Sequence, residues 1–168
     1  MSRGELGGPQ RPQPDSRGVA PVSDLEEVVD TIVRELRARG HRVTPQRVAV
    51  IRELLGRTDH PSAEALHQAV SPQYPMMAIS TVYSTIRLLV ELGVATEVSP
   101  GFTEARYDPN TSNHCHLVCT RCRAITDIEP SLGLPTVGDC ARALATGFRL
   151  QRLTLNLYGT CAACAGAE

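Results

Sequence analysis

The sequence contains no lysine, so each of its 17 Lys and Arg positions is an arginine. With 18 acidic residues the net charge is −1, and composition alone therefore does not indicate a strongly basic surface for nucleic acid. Tryptophan is absent too, and only 4% of the residues are aromatic. We therefore expect cores built mainly from aliphatic side chains.

Long apolar runs are also missing. No stretch approaches the roughly 20 apolar residues that a transmembrane helix needs, and the N-terminal residues lack the apolar segment of a signal peptide. We therefore expect a cytoplasmic protein without a membrane-spanning segment. The chain has six cysteines, and in a reducing cytosol disulfides between them are not expected.

Four of these cysteines form two C-x-x-C pairs, Cys119 with Cys122 and Cys161 with Cys164. A C-x-x-C turn lets two thiolates reach one ion, and zinc in closed structural sites takes four such ligands. The two pairs predict one tetrahedral zinc site with four cysteine ligands. The alternative is four thiols that bind no metal or are paired as disulfides.

Composition and periodicity divide the chain into three parts. Residues 1–22 are rich in Gly, Pro and polar side chains and predict a disordered tail. Residues 23–108 carry four helical patterns and a hairpin pattern, and residues 109–168 carry strand patterns, one helical pattern and both C-x-x-C pairs. The predicted fold is α+β, with two small domains after the tail.

Residues 23–108 predict a winged-helix domain. Capping residues, prolines and glycines delimit helices over residues 23–40, 44–56, 62–71 and 79–93. Strand patterns over 94–99 and 104–108 follow, joined by a hairpin-sized loop. In a winged helix the helix after the turn enters the major groove and the hairpin contacts the DNA backbone. The alternative is a small helical bundle with a hairpin that binds no nucleic acid.

The fourth predicted helix has an apolar and a polar face. Tyr83 lies on the polar face between Ser80 and Arg87, where an exposed aromatic ring suits contact with thymine methyl groups. The alternative is that Tyr83 simply packs. The candidate DNA contacts on this helix and at the start of the second are Arg47, Ser80, Thr81, Tyr83, Ser84 and Arg87.

Residues 109–168 predict a small α/β domain. Strand patterns flank the first C-x-x-C pair, a helical pattern covers residues 136–146, and a strand pattern covers 148–158. A sheet with one helix is marginally stable, so we expect zinc and dimerisation to stabilise it.

From about residue 25 onward the sequence resembles the ferric uptake regulator (Fur) family of metal-dependent bacterial transcription factors. The motifs that carry the resemblance are Arg42-Val43-Thr44-Pro45-Gln46-Arg47, Ser80-Thr81-Val82-Tyr83, the H-x-H-x-x-C-x-x-C run from His114, and Leu157-Tyr158-Gly159. The resemblance implies a winged-helix domain, a hinge, and a dimerisation domain with a structural zinc. It also implies a homodimeric repressor that binds an AT-rich palindromic operator in double-stranded DNA when a regulatory metal is bound at the hinge.

The remaining donors predict that regulatory site. His114 and His116 are two apart on a strand and share a face, and Asp108 and Asp127 bracket them in sequence. Two imidazoles and two carboxylates without a thiolate suit iron(II) or manganese(II), although zinc also binds such a set. The pattern looks most like the peroxide-sensing (PerR) branch, whereas zinc-sensing members tend to have Cys at the position of Asp108.

One position departs from the family pattern. Iron-sensing and peroxide-sensing members carry a His just after P-Q-R, where this sequence has Val48, which cannot be a ligand. We therefore expect no peroxide sensing at position 48 and a weaker coupling of metal to the DNA-binding domain. Glu97 in the hairpin is a further candidate ligand, and its alternative is a solvated residue. Some family members have a further, optional metal site. That site is not expected here, because Asn113 and Leu153 are poor or impossible ligands.

The histidines and cysteines outside these sites are expected to be structural or surface residues. They are His41, His60, His67, Cys115 and Cys140. For the two cysteines we expect small buried side chains rather than redox sensors.

Three classes of function compete. The first is a repressor of this family that senses iron(II) or manganese(II), with a link to oxidative stress, or alternatively a zinc-responsive regulator. The second, a zinc enzyme, lacks both the H-x-E with P-C-x-x-C and the H-E-x-x-H motifs, and a four-cysteine site leaves no position for water. The third is a zinc-stabilised protein-interaction module, which a weak salt dependence of binding would distinguish from a DNA-binding protein.

Overall fold

A computed structural model describes residues 22–98, 101, 104–112, 114–128 and 154–166. The chain divides into two compact units, with the boundary between Thr111 and Ser112. In chain order the elements are α1 (Val22–Ala38), α2 (Pro45–Leu55), α3 (Ala63–Val70), α4 (Ile79–Glu91), β1 (Thr96–Val98), β2 (Arg106–Asp108), β3 (Cys115–Cys119), β4 (Ile125–Ile128), β5 (Leu155–Gly159) and α5 (Ala162–Ala165). None of the helices described here has the length and hydropathy needed to cross a membrane.

Capping side chains begin two helices of the first unit. Oγ1 of Thr44 accepts a hydrogen bond from the backbone N–H of Arg47 at 3.4 Å, and Pro45 occupies the first turn of α2. Oγ of Ser62 accepts from the N–H of Ala65 at 3.2 Å and caps α3. Both predicted caps are confirmed, and each satisfies an N–H that the helix cannot pair internally.

The four long helices enclose an aliphatic core. Its largest fully buried apolar side chains include Leu36, Ile51, Leu54, Leu66, Ile86 and Leu89. From α4, Val82, Ile86 and Leu89 are buried in this core, as the apolar stripe predicts. The opposite face of α4 lies outside this core, and its side chains can contact other molecules.

A short hairpin completes the first unit. β1 and β2 are antiparallel, with Glu97 opposite Tyr107 and Thr96 opposite Asp108. Both strands are shorter than predicted, and residues 99, 100, 102 and 103 of the connecting loop lie outside the described part. The N–H of Tyr107 donates to the carbonyl of Pro61 at 3.0 Å, so β2 is tied to the segment just before α3.

The second unit contains a three-stranded sheet in the order β4-β3-β5. β3 is antiparallel to β4 and parallel to β5, and Cys119 at the end of β3 pairs with Gly159 at the end of β5. The two C-x-x-C pairs follow these strand ends, so the sheet brings them together. The helix predicted over 136–146 and the strand residues 148–153 lie outside the described residues.

Candidate metal centres and nucleic-acid interface

The four cysteines of the C-x-x-C pairs converge in the second unit. The Sγ atoms of Cys119, Cys122, Cys161 and Cys164 all lie within 4.8 Å of one another. Cys122 Sγ and Cys161 Sγ are 3.7 Å apart. Two thiolates bound to a tetrahedral zinc at about 2.3 Å are about 3.8 Å apart, so the cluster fits a structural zinc ion.

Backbone N–H groups donate hydrogen bonds to this cluster and favour the thiolate form of Cys119, which binds cations. The N–H of Cys161 donates to Sγ of Cys119 at 3.4 Å. Backbone hydrogen bonds from Cys122 and then Cys161 lower the pKa of Cys119 to about 6. Hydrogen bonds with the thiols of Cys161 and Cys122 raise the pKa of Cys164 to about 12. Zinc binding therefore releases protons from this cluster, because the ligands are thiolates.

A second donor set in this unit combines two histidines and an aspartate. Nε2 of His114 and Nε2 of His116 lie 2.9 Å apart. Oδ1 of Asp127 is 3.5 Å from the first and 3.7 Å from the second. Neighbouring ligands at about 2.1 Å from an octahedral ion are about 3 Å apart, so these atoms suit one face of a metal coordination shell.

The other ring nitrogens of both histidines have acceptors. Nδ1 of His114 lies 2.9 Å from the carbonyl oxygen of Ser112, and Nδ1 of His116 lies 3.2 Å from Oδ1 of Asn156. These acceptors favour the tautomer with the proton on Nδ1 in each ring, in which each Nε2 carries a lone pair. In that tautomer two lone pairs lie 2.9 Å apart and repel each other, and a cation bound by both nitrogens removes that repulsion.

The first unit contributes a buried pair of donors. Asp108 is 2% exposed, and its Oδ1 accepts a hydrogen bond from the N–H of Asn110 at 2.7 Å. Nε2 of His60, a side chain that is 1% exposed, lies 3.8 Å from Oδ2 of Asp108. Of the two expected alternatives, a structural or a surface residue, His60 is therefore the structural one. Its φ of 52° is uncommon for a residue other than glycine, and histidine adopts this region more readily than most side chains.

Two residues proposed from the sequence lie elsewhere in the first unit. Val48 is partly buried and packs against the helical core, so position 48 is a packing position. Glu97 is exposed on β1 opposite Tyr107, and because strand residues alternate in direction, Asp108 points to the other face of the hairpin. The structure brings Asp108 next to His60 and does not place Glu97 on that side.

The residues left outside the sites have local roles. Nε2 of His67 contacts the carbonyl of Met77 at 2.8 Å, just before α4, and His41 is partly buried between α1 and α2. Cys115 is buried in β3, as expected. Cys140, Asn113 and Leu153 lie outside the described residues.

The outward face of α4 carries most of the candidate DNA contacts. Ser80, Tyr83 and Arg87 are exposed, whereas Thr81 and Ser84 are half-buried. Oγ of Ser84 donates to the carbonyl of Thr81 at 3.0 Å. On α2 the guanidinium of Arg47 donates to the carbonyl of Arg42, so that side chain is held close to its own backbone.

Two acidic side chains lie beside the outward face of α4. The hydroxyl of Tyr83 donates to Oε1 of Glu64 on α3 at 2.6 Å, a contact that sequence patterns did not reveal. This hydrogen bond raises the pKa of Tyr83 to about 12 and lowers the pKa of Glu64. Nε of Arg87 lies 3.7 Å from Oε1 of Glu91, with both side chains exposed.

Comparisons with known proteins agree on one family. The sequence model of the ferric uptake regulator family matches residues 38–158. The peroxide-responsive repressor PerR of Staphylococcus aureus is 31% identical over 145 residues, which span 85% of this chain and 95% of that protein.

Two solved structures have a fold similar to that of this chain. The Helicobacter pylori ferric uptake regulator Fur has a TM-score of 0.70 at 18% identity, covering 84% of this chain and 93% of that one. A zinc uptake regulator complexed with zinc and DNA has a TM-score of 0.59 at 26% identity, covering 85% of this chain and 96% of that one.

Proposed function

The chain belongs to the ferric uptake regulator family, and from that premise we propose that it is a metal-dependent, DNA-binding transcriptional repressor of the cytoplasm that senses iron(II) or manganese(II). Members of this family are transcriptional regulators rather than enzymes. The observation that carries the proposal is the pair of donor sets built from imidazoles and carboxylates, separate from the four-cysteine zinc site.

The regulatory metal would bind to the donors of the second unit. His114, His116 and Asp127 are three donors on one side of an ion. Nitrogen and oxygen donors without a thiolate suit iron(II) or manganese(II).

Metal binding would control DNA binding through a difference in affinity. A ligand shifts a conformational equilibrium only by its difference in affinity between the two states. We take the state that binds the metal more tightly to be the one that binds operator DNA.

The outward face of α4 would read the operator. Four helices followed by a hairpin have the element order of a winged helix, in which this helix enters the major groove. The 26% identical zinc uptake regulator was solved with DNA and shares this fold. Tyr83 and Arg87 would supply base and phosphate contacts respectively.

Dimerisation would use the sheet of the second unit. Leu117 and Leu157 are opposite each other in the β3–β5 register, and both are exposed, as is Tyr158. In the described part of the sheet β5 is an edge strand. Exposed apolar side chains on neighbouring strands of a sheet are typical of a surface that a second copy covers.

Selection of DNA from a random-sequence duplex library tests the function. The chain with its four-cysteine zinc intact would be incubated with the library in the presence of manganese(II), and in parallel with zinc(II) or with a weak chelator. We expect an AT-rich palindrome to be enriched with manganese(II) only. Enrichment with zinc(II) alone would support the zinc-responsive alternative, and absence of enrichment under all conditions would contradict DNA binding.

A further inference from the structure

We propose that Glu64 is a specificity-determining residue that holds the ring of Tyr83 against operator DNA and repels other DNA by its charge. This inference rests on the proposed function, because it assumes that α4 contacts a duplex. It concerns α3 and α4 of the first unit alone.

The contact between the two side chains is short and charge-assisted. The distance of 2.6 Å from the Tyr83 hydroxyl to Oε1 of Glu64 lies in the range of about 2.5–2.7 Å that is typical of a hydroxyl donating to a carboxylate. Glu64 lies in the first turn of α3, where the helix dipole stabilises a negative charge. The carboxylate is therefore a charged and stable acceptor at neutral pH.

This contact decides which part of Tyr83 meets DNA. The hydroxyl proton is committed to Glu64, so the hydroxyl is a poor donor for a phosphate. The residue is nonetheless 46% exposed, which leaves ring surface for an apolar contact such as a thymine methyl group. Because the ring is already held in place, less side-chain freedom is lost when DNA binds.

The same carboxylate lowers affinity for DNA in general. Glu64 is exposed beside the reading face, and the exposed Arg87 on that face is itself close to Glu91. A carboxylate near phosphates weakens binding to every sequence, whereas the ring contact strengthens binding only where a methyl group is present. Glu64 therefore raises the ratio of operator affinity to general affinity, which suits a chain without lysine and with a net charge of −1.

The test compares Glu64→Ala and Glu64→Gln with Glu91→Gln as the matched control. Glu91→Gln also removes one negative charge beside the reading face, but Glu91 is not the partner of Tyr83. The probes are the duplex enriched by the parent protein with manganese(II), the same duplex with single thymines replaced by uracil, and a scrambled duplex. Thermal unfolding of each variant checks that it folds. If Glu64→Ala does not fold, Tyr83→Phe carries the test, because it removes the same hydrogen bond, whereas Glu64→Gln removes only the charge.

For the parent protein we expect one thymine-to-uracil replacement to weaken binding about fourfold, the worth of burying one methyl group. Glu64→Ala should lose this discrimination and bind the scrambled duplex more tightly. Glu91→Gln should also bind the scrambled duplex more tightly but keep the discrimination. Introduced into the parent, Tyr83→Phe should reduce the discrimination between thymine and uracil. Introduced into Glu64→Ala, it should have no additional effect on that discrimination.

Two results would overturn the inference. One is a Glu64→Ala protein that discriminates thymine from uracil as the parent does, and the other is a parent that shows no such discrimination. If the parent enriches no duplex at all, the proposed function itself fails. Failure of this inference and failure of the proposed function are thereby distinguished.

Discussion

Nε2 of His114 faces Nε2 of His116 at 2.9 Å, while the Nδ1 atoms of both rings point to oxygen acceptors. The protonated nitrogens are thus turned away, and both lone pairs are directed to one place. Such an arrangement is expected where outer hydrogen bonds fix the tautomers of metal-binding histidines. We propose for this reason that the carbonyl of Ser112 and the side chain of Asn156 support the regulatory site.

The first prediction concerns Asn156. Asn156→Leu removes the acceptor for Nδ1 of His116 and should lower manganese(II) affinity about 10- to 100-fold, as the loss of such partners commonly does. Asn156→Asp keeps an acceptor and should retain tight binding. Competition with a fluorescent chelator measures both, with Thr126→Val on β4 of the same sheet as control. Parent-like affinity in Asn156→Leu would show that the ring is oriented otherwise.

The second prediction concerns His60 and Val48. His60→Ala removes a buried imidazole beside the buried carboxylate of Asp108 and should lower the free energy of unfolding by about 1–3 kcal/mol. His41→Ala, which alters a partly buried histidine, should lower it by less. Denaturant unfolding measures both, and parent-like stability in His60→Ala would show that the pair does not stabilise the first unit.

Val48→His completes this comparison. The side chain at position 48 packs against the helical core, so an imidazole there should lower the free energy of unfolding by about 1–3 kcal/mol and leave metal affinity unchanged. Denaturant unfolding and the same chelator competition give both values. Tighter metal binding and a steeper operator response in Val48→His would instead support a ligand position there.

The spacing of residues close together in sequence predicted most of the two candidate metal sites. The C-x-x-C spacing placed both cysteine pairs in one zinc cluster, and the spacing of His114 and His116 placed both rings on one side. These inferences succeed because turn and strand geometry act over only a few residues. The helical repeat likewise identified the buried and exposed faces of α4.

His60 and Glu64 could not be assigned in this way. His60 is close to Asp108 because the N–H of Tyr107 pairs with the carbonyl of Pro61, a tertiary contact that no periodicity reveals. Glu64 meets Tyr83 because α3 packs on α4.

The third prediction concerns the structural zinc. Cys161→Ser removes one ligand of a site whose metal contributes about 10 kcal/mol to folding in small zinc domains, so the second unit should lose its zinc and unfold. Cys115→Ser changes a buried thiol outside the cluster and should keep the zinc. Metal analysis and circular dichroism distinguish the two variants. A folded Cys161→Ser protein without zinc would show that the metal is not needed for this fold.

The fourth prediction concerns Arg87. Arg87→Ala should weaken binding to enriched and scrambled duplexes alike and reduce the slope of log affinity against log salt by about 1, the value for one phosphate contact. Arg39→Ala removes an exposed arginine of α1 that is paired with Glu35 and should leave the slope unchanged. Equal slopes for all three proteins would exclude Arg87 from the DNA contact.

The most direct test of the account is a manganese(II) titration of binding to the enriched duplex, with the four-cysteine zinc retained throughout. The parent protein should gain at least about tenfold in affinity as the regulatory metal binds, a coupling of about 1.4 kcal/mol that is within the usual range for allosteric proteins. His114→Ala should fold, keep its zinc and show no such gain. A parent that binds fully without manganese(II), or a His114→Ala protein that responds as the parent does, would contradict the account.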